Sequence, residues 1–185
     1  MIAHETPIPG PAADFGAALS ARIPLLETAR TRLRAPRLTD FDAWVAVLCG
    51  PASDHLGGPF TRDEGFGEFA TSIGLWLLRG HGLWTVESRA TGETLGFVLL
   101  GFEPGDREPE LGYLFLPAAE GQGLAFEAAF AARAHAVTTL RLPSLVSYVA
   151  HDNRRSAALA RRLGARADGA MTGCTIWRHH PKGAP

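Results

Sequence analysis

Residues 114–129 read LFLPAAEGQGLAFEAA: an apolar segment, a proline, a turn with two glycines and an alanine-rich segment. Because glycine has no Cβ, Gly121 and Gly123 allow a tight bend that brings successive main-chain N–H groups close to a ligand. The helix predicted to follow directs its unpaired N–H groups, and the positive end of its dipole, at the same place. This stretch therefore predicts an anion site, most often one for a phosphate.

Two common phosphate motifs do not fit the stretch. A P-loop requires Gly-Lys-Ser/Thr after the turn, whereas Gly123 is followed by Leu124 and Ala125. A Rossmann dinucleotide fingerprint requires a third glycine, where Phe126 stands, and an early parallel βαβ unit. The strands predicted before this turn form hairpins instead, so neither nucleotide site is expected.

Composition indicates one compact globular domain. The chain has 185 residues, 46% of them hydrophobic, and a formal net charge of -1, which gives no reason to expect a nucleic-acid partner. We find no apolar run of the roughly 20 residues that span a bilayer, and no signal-peptide pattern, so a cytoplasmic protein without a membrane partner is expected. Cys49 and Cys174 lack metal-ligand spacing, which fits a reduced compartment. For His179-His180 a metal site is possible, but a solvated tail is the favoured interpretation, and no metal is expected.

The order of predicted elements indicates an antiparallel-rich sheet covered by helices. Residues 1–27, with alternating Pro7, Pro9 and Pro11, are expected to be an extended or partly disordered extension. The single domain covers residues 28–178, and residues 179–185 form a tail. Within the domain the order is β-α-α-β-β-β-α-β-α-β-β. Its strands are 27–34, 83–88, 94–101, 109–116, 145–150, 166–167 and 172–178. Its four helices begin at Thr39, at the Thr61-Arg62-Asp63-Glu64 capping box, near Gly121 and at Asn153. In the same order, they end at Gly50-Pro51, near Gly80, near Thr139 and at Gly164.

Three stretches in this order resemble the GNAT superfamily of N-acetyltransferases, and within it the ribosomal-protein N-terminal acetyltransferase (Rim-type) branch. EGQGLA at 120–125 matches the family's Gln/Arg-x-x-Gly-x-Gly/Ala motif except at Glu120, where a basic or amide residue is usual. DNRRS at 152–156, followed by LARRLG at 159–164, resembles the Asn-x-x-Ser…Leu-Gly-Phe run, with Ala165 in place of Phe. TRLRAP at 31–36 resembles the N-terminal signature of the branch. The resemblance covers about residues 28–178.

The resemblance implies an α+β (α/β three-layer) fold: a mixed, mostly antiparallel twisted sheet with helices on both faces and splayed central strands. Acetyl-CoA, as co-substrate, is expected in the cleft where strand 110–116 separates from strand 145–150. Its pantetheine arm would pair with main-chain groups of the first strand, and its pyrophosphate would bind the glycine turn. The implied cofactor-binding residues are Leu114, Phe115, Leu116, Gly121, Gln122, Gly123, Leu124, Ala125, Phe126, Asn153 and Arg155.

The implied reaction is direct attack of a primary amine on the thioester, which needs no enzyme nucleophile. Many relatives protonate the thiolate with a tyrosine at the position that is Ala160 here, so Ser156 is the candidate by analogy. Ser156 could instead bond only its own helical turn, and Asn153 could act only as a cap. Glu110 is the candidate base, with an exposed strand-end charge as the alternative; Tyr113 is expected on the opposite face of the strand. Arg154 or Arg155 could reach the 3′-phosphate of the cofactor, although such arginines often form a solvated face.

The acceptor stays open between a protein N-terminus and a small-molecule amine. By family analogy the first two helices and the loop 55–60 frame its site. Strand residues 174–177 could support a homodimer or complete the sheet within one chain. Two alternatives remain: a non-catalytic acyl-CoA binding module on the same fold, and an interaction domain in which the glycine turn is an ordinary helix start.

Overall fold

The computed structural model of the chain describes residues 2–50 and 53–180. Its strands are β1 (Leu26–Glu27), β2 (Thr31–Arg34), β3 (Leu83–Ser88), β4 (Thr94–Gly101), β5 (Glu110–Phe115), β6 (Leu145–Ala150), β7 (Arg166–Met171) and β8 (Cys174–His180). Its helices are α1 (Pro11–Ser20), α2 (Phe41–Leu48), α3 (Arg62–Arg79), α4 (Leu124–Thr138) and α5 (Arg154–Arg162). From β2 onward their order is the predicted one.

Within this part of the chain the strands form one sheet in the order β1-β2-β3-β4-β5-β6-β8-β7. Neighbouring strands are antiparallel except for β5 and β6, which are parallel. The last strand, β8, pairs with β6 and β7, so residues 174–177 complete the sheet within the chain. The expected α+β architecture, with helices on both faces of a mostly antiparallel sheet, is confirmed.

Side-chain alternation along the strands divides the core into two layers. One layer packs α2 and α3 against the sheet through Phe41, Trp44 and Phe97. The other packs α4 against the opposite face, where Ala128 and Ala132 are fully buried. The small alanine side chains let α4 lie close to the strands.

The two central strands separate soon after they meet. The only Cα pair in the register of β5 and β6 is Glu110 with Val146, and the Val146 N–H donates to the Pro109 carbonyl at 3.0 Å. By contrast, β4 and β5 pair over the whole length of β5. The expected splay of the central strands is therefore confirmed, with Glu110 at its start.

Helix α3 begins and ends where the local sequence signals predict. At the start of α3, the Thr61 N–H donates to the Glu64 carboxylate at 2.8 Å, and the Glu64 N–H donates to the Thr61 hydroxyl at 3.3 Å. The helix ends at Gly80, whose φ of 73° is in the left-handed region that glycine favours. The predicted capping box at the start of α3 and its predicted end near Gly80 are both confirmed.

The N-terminal prediction is wrong, because residues 11–20 form a helix rather than an extended arm. Pro11 occupies the first turn of α1, where no N–H is needed, and its fixed φ suits a helix. The alternating prolines at positions 7, 9 and 11 favoured an extended segment in the sequence analysis, so the start of this helix was not predicted. The helix is largely exposed, with Phe15 67% accessible.

Further boundaries also differ from the prediction, among them the end of strand 166–167, which extends to Met171 as β7. Strand 27–34 is divided into β1 and β2 by a turn at 28–30, and α4 begins at Leu124 rather than near Gly121. Thr39 is not an N-cap, because a short 3₁₀ turn precedes α2 and the buried Asp40 there pairs with Arg34 at 2.8 Å. The predicted stop of this helix includes Pro51, which lies outside the described residues; α2 itself ends at Leu48.

The C-terminal boundary also differs, because His179 and His180 belong to β8 rather than to a solvated tail. His179 is only 5% exposed. The prediction failed because a β8 register continuing to His180 depends on pairing with β6, which is distant in sequence. In the described ranges, no helix is long and apolar enough to cross a membrane.

Candidate active site

The glycine turn connects β5 to α4 and adopts the backbone conformation that only glycine takes easily. Gly121 and Gly123 have φ values of 74° and 78°. A Cβ at Gly121 would meet no heavy atom within 4 Å, so the backbone angle and not crowding requires glycine there. The Gln122 side-chain amide donates to the Ala118 carbonyl at 2.8 Å and closes the turn. Leu124 and Ala125 then begin α4, whose first N–H groups have no partner of their own helix.

Arg30, which the sequence analysis did not single out, fastens this turn to the β1–β2 connection. Its Nε donates to Glu127 at 2.8 Å, and its NH1 group donates to the Gln122 carbonyl at 3.0 Å. Burial opposes ionisation of Glu127, but hydrogen bonds from Thr28 and Arg30 hold its pKa below the usual value. A guanidinium therefore lies beside the turn. Nothing in the local sequence signals it, because Arg30 is 92 residues from Gln122.

A second guanidinium compensates the unexpected acid in the turn. The NH2 group of Arg155 lies 2.7 Å from the Glu120 carboxylate. Arg155 comes from the first turn of α5, so this ion pair connects the two helix starts. Further along, the Arg162 guanidinium lies 4.8 Å from the centre of the Phe126 ring, which joins the same two helices. The charge of Glu120 is thus paired with a guanidinium.

Only alternate residues of β5 turn their main-chain groups toward the splay, whereas the residues predicted to pair with pantetheine are consecutive. The Leu116 N–H donates to the Leu95 carbonyl at 2.9 Å, and Leu114 pairs with Phe97. Because main-chain groups alternate between the two sides of a strand, those of Tyr113 and Phe115 point toward β6. Of the three predicted main-chain partners of pantetheine, only Phe115 therefore presents these groups to the cleft.

Glu110 lies where β5 leaves β6, on the face that carries α2 and α3. Its carboxylate accepts a hydrogen bond from the Tyr148 N–H at 3.2 Å. Burial raises its pKa to about 8; the Tyr148 bond opposes this, and the carboxylates of Asp106 and Glu103 add to it. The residue is partly buried, so the alternative of an exposed strand-end charge is wrong.

Tyr113 and Ser156 meet on the opposite face of the sheet. The Ser156 hydroxyl donates to the Tyr113 hydroxyl at 3.1 Å, and the Tyr113 hydroxyl donates to the Ser156 carbonyl at 3.0 Å. The Asn153 side chain accepts from the Ser156 N–H at 3.0 Å, which confirms Asn153 as the N-cap of α5. Ala160, where many relatives have a tyrosine, is fully buried. Sequence reasoning missed the contact of Tyr113 because its partner is 43 residues away.

A buried polar pair lies behind this contact. The Ser147 hydroxyl donates to the Leu111 carbonyl at 2.6 Å and lies 2.9 Å from the His179 Nε2 atom. Burial lowers the pKa of His179 to about 4, and the Arg133 guanidinium contributes in the same direction. His179 is therefore neutral at physiological pH.

The loop 55–60, expected at the acceptor site, borders the same region. His55 Nδ1 lies 3.3 Å from the Asp152 carboxylate, which directly precedes the Asn153 cap. The predicted site residues thus fall into two groups, one at the glycine turn and one at the splay. Over the described ranges, no group of three or more His, Cys, Asp or Glu residues could hold a metal ion.

Comparisons with known proteins agree with this geometry. The GNAT acetyltransferase domain family matches residues 30–166. An acetyltransferase from Agrobacterium tumefaciens is 37% identical over 86% of this chain and 95% of its own, with a TM-score of 0.81. Two more distant structures share the fold at 19% identity. RimL, a ribosomal-protein acetyltransferase solved with coenzyme A, has a TM-score of 0.71 over 87% of this chain and 100% of its own. Spermidine N-acetyltransferase from Vibrio cholerae, solved with CoA and spermine, has a TM-score of 0.64 over 80% and 92%.

The family match spans most of the chain, including the glycine turn and the start of α5. The splayed strands, the glycine turn and the capped α5 occur in the order that the sequence resemblance implied. The chain belongs to the GNAT family of acetyltransferases.

Proposed function

We propose that the protein is an acetyl-CoA-dependent N-acetyltransferase that acts on a primary amine. The observation that carries the proposal is Glu110, a partly buried carboxyl group at the start of the splay with a pKa raised to about 8. A group that titrates near neutral pH is suited to accept the proton of an attacking amine. On the other face of the sheet, Ser156 lies at the start of α5.

The chain offers acetyl-CoA a site made largely of main-chain groups. The open turn at Gly121 and Gly123 and the N–H groups at the start of α4 suit a pyrophosphate. The cleft-facing groups of Tyr113 and Phe115 would pair with the pantetheine arm. Arg30 adds positive charge beside the turn. The bound thioester supplies the activated acetyl group.

Glu110 would receive the proton that the amine loses during attack. The nearby carboxyl groups of Glu103 and Asp106 have raised pKa values, through burial in both cases, with Asp106 and Glu68 adding to the effect on Glu103. Such a concentration of carboxyl groups favours an acceptor that approaches as a cation. Both spermidine and a protein N-terminus, the acceptor types that the relatives' names indicate, are amines of this kind.

Ser156 would contribute on the leaving-group side. It lies in the first turn of α5, where the positive end of the helix dipole stabilises a developing thiolate. The Asn153 side chain caps this turn and accepts from the Ser156 N–H, so Asn153 supports both the start of α5 and the proposed site.

The test is CoA release from acetyl-CoA with a panel of diamines, polyamines and N-terminal peptides, followed by mass spectrometry of the products. We expect acetylation of at least one amine, with the wild-type rate rising with pH as Glu110 ionises. Tight acetyl-CoA binding by calorimetry without transfer to any amine would contradict the proposal.

That outcome would favour the second candidate, a non-catalytic acyl-CoA binding module. Two features of the sequence favour this candidate: the acid at Glu120 and the absence of a tyrosine at position 160. The ion pair between Glu120 and Arg155 weakens the first argument, and the contact between Tyr113 and Ser156 weakens the second.

A further inference from the structure

Two pairs of polar side chains lie near the splay, one inside the sheet and one at the start of α5. His179 Nε2 lies 2.9 Å from the Ser147 hydroxyl, and the Tyr113 hydroxyl lies 3.1 Å from the Ser156 hydroxyl. Ser147 and His179 are almost fully buried, whereas Tyr113 and Ser156 are partly accessible where the strands separate. The second pair is therefore the one that a ligand in the splay can reach.

Tyr113 is held at this place by both its main chain and its hydroxyl group. Its main-chain groups face the gap between β5 and β6, while its ring packs with the core layer of α4. Its hydroxyl donates to the Ser156 carbonyl and accepts from the Ser156 hydroxyl. A side chain that served packing alone would not need these contacts, since a phenylalanine would fill the same space.

We propose that Tyr113 is the source of the proton that the leaving CoA thiolate takes, and that the Ser156 hydroxyl passes it on. This inference rests on the acetyl transfer proposed above. It assigns the role of proton donor to a tyrosine on β5, whereas the tyrosine expected from the family resemblance would lie in α5, at the position of Ala160.

The acid strengths of the two hydroxyl groups support this division of roles. A free phenol ionises at a pH of about 10 and a free thiol at about 8.5. Burial raises the pKa of Tyr113 above that of a free phenol, but an aliphatic hydroxyl is a far weaker acid than either group. Ser156 alone would have to become an alkoxide, which is costly. With Tyr113 behind it, the serine gives its proton to sulfur and receives one from the phenol.

The proton balance of this step is complete. The Ser156 O–H bond breaks as the S–H bond forms, and the Tyr113 O–H bond breaks as the Ser156 O–H bond is restored. The resulting phenolate regains a proton from solvent, which carries the proton released by the amine through Glu110. For this transfer the Ser156 hydroxyl turns from Tyr113 toward sulfur, and the Tyr113 hydroxyl turns from the Ser156 carbonyl toward the Ser156 Oγ atom. Hydroxyl groups make such rotations freely.

Ser147 and His179 act as positioning residues. Ser147 is held by His179 and donates to the Leu111 carbonyl, and thereby fixes β5 two residues before Tyr113. Because His179 is neutral, it does not draw the phenol proton away from Ser156 as an anion-stabilising cation would. The charge of Arg133, whose NH2 group donates to the His179 carbonyl at 3.0 Å, favours this neutral state.

The first experiment compares Tyr113→Phe, Ser156→Ala and the double variant. We expect kcat to fall about 100-fold in each single variant, and by a similar factor in the double variant, because both residues serve one transfer. The affinity for acetyl-CoA, measured by calorimetry, should change by less than about threefold, because the proton transfer does not contribute to cofactor binding. Ser72→Ala, which removes a buried hydroxyl in α3, is the matched control and should keep full kcat.

The second experiment does not depend on turnover. The chain has two tyrosines, so in a Tyr148→Phe background the ultraviolet titration of phenol reports Tyr113 alone. Saturating CoA should raise the titration midpoint, because an adjacent thiolate disfavours a phenolate. Desulfo-CoA, which lacks the thiol, should leave the midpoint where it is in the free protein.

The outcomes separate this inference from the proposed function. An active wild type whose Tyr113→Phe variant keeps its kcat, or a Tyr113 midpoint that CoA and desulfo-CoA affect equally, overturns the role of Tyr113 alone. A wild type that acetylates no amine overturns the proposed function, and with it this inference. Fluorotyrosine at position 113, which lowers the phenol pKa, should move the basic limb of the kcat profile to lower pH; an unmoved limb counts against the proton-donor role.

Discussion

The glycine turn and the splay, which we propose to be two halves of one cofactor site, are built differently. The turn, residues 120–126, is exposed at residues 120–122 and is formed by main-chain groups in a conformation that Gly121 and Gly123 permit. The splay is formed by partly or fully buried side chains of β5, β6, β8 and α5, among them Tyr113 and Ser147. A site that recognises the constant part of a ligand needs only local geometry. A site that moves protons needs groups from several elements at fixed distances.

This contrast predicts different consequences of mutation in the two regions. Changes at the splay should reduce turnover, because they remove groups that act on protons. Changes at the turn should alter cofactor affinity, because they move main-chain donors or nearby charge. The four predictions that follow run from the largest expected effect to the smallest.

Glu110→Gln should lower kcat by about 100- to 10,000-fold, the usual range for loss of an acid–base group. Because Glu110 has a raised pKa of about 8, wild-type kcat/KM should increase with pH through that value. The variant, which has no ionisable group there, should lose this limb. A pH–rate profile from pH 6 to 9.5 measures both effects. An acid limb that persists in Glu110→Gln would assign the base to another group.

His179→Gln should remove part of the acid sensitivity of the fold. The folded-state pKa of about 4 is lower than the unfolded value of about 6.5, so the unfolded chain takes up the proton first as pH falls. The wild-type free energy of unfolding should therefore drop by about 3 kcal/mol more than that of the variant between pH 7 and pH 4.

Urea unfolding of both proteins at several pH values measures this difference, in which titration of the other groups cancels. His180→Gln, at the adjacent position of β8, is the control and should follow the wild type. Equal pH dependence of wild type and His179→Gln would show that His179 is not buried in its neutral form.

Gly123→Ala should weaken CoA binding by about tenfold while leaving kcat at saturation nearly unchanged. A side chain at a φ of 78° costs about 1–2 kcal/mol, which the turn relieves by moving its N–H groups. Calorimetry with CoA measures the loss. Gly74→Ala in the middle of α3 is the matched control, since a Cβ there meets no atom within 4 Å and favours the helix. Undiminished affinity in Gly123→Ala would remove the turn from the binding site.

Glu120→Gln should strengthen CoA binding by about threefold or less. The substitution removes a negative charge and releases Arg155, but Arg155 is 72% exposed, so the pair contributes under about 1 kcal/mol. The gain should shrink as salt is raised from 0.05 to 0.5 M. Asp14→Asn on α1 makes the same charge change elsewhere and should leave affinity unaffected. Weaker CoA binding by Glu120→Gln would contradict this prediction, because it would mean that the Glu120 carboxylate contributes to ligand binding.

The accuracy of the sequence predictions follows the range of the signals they used. The capping box at Thr61 and the Asn153 cap were predicted correctly, because each depends on residues within one helical turn. The strand pattern gave β3 and β4 their observed bounds. Helix α1 was missed because proline was counted against a helix where its position in the first turn favours one.

At the candidate site the same division holds. The sequence located Glu110, Ser156 and the glycine turn. It named three consecutive pantetheine partners, of which only Phe115 turns its main-chain groups to the splay, since the sequence of a strand does not reveal which edge is paired. It also treated Glu120 as an isolated acid, because the ion pair with Arg155 requires α5 to lie beside the turn.

By itself, the sequence determined the order of the elements, the glycine turn and the family, since these depend on residue types at short, fixed spacings. Only the tertiary structure decided that Arg30 fastens the turn, that Tyr113 meets Ser156, and that His179 is buried and neutral. Each of these contacts joins residues that are distant in sequence. Strand register and helix packing bring them together, and desolvation then sets their chemistry.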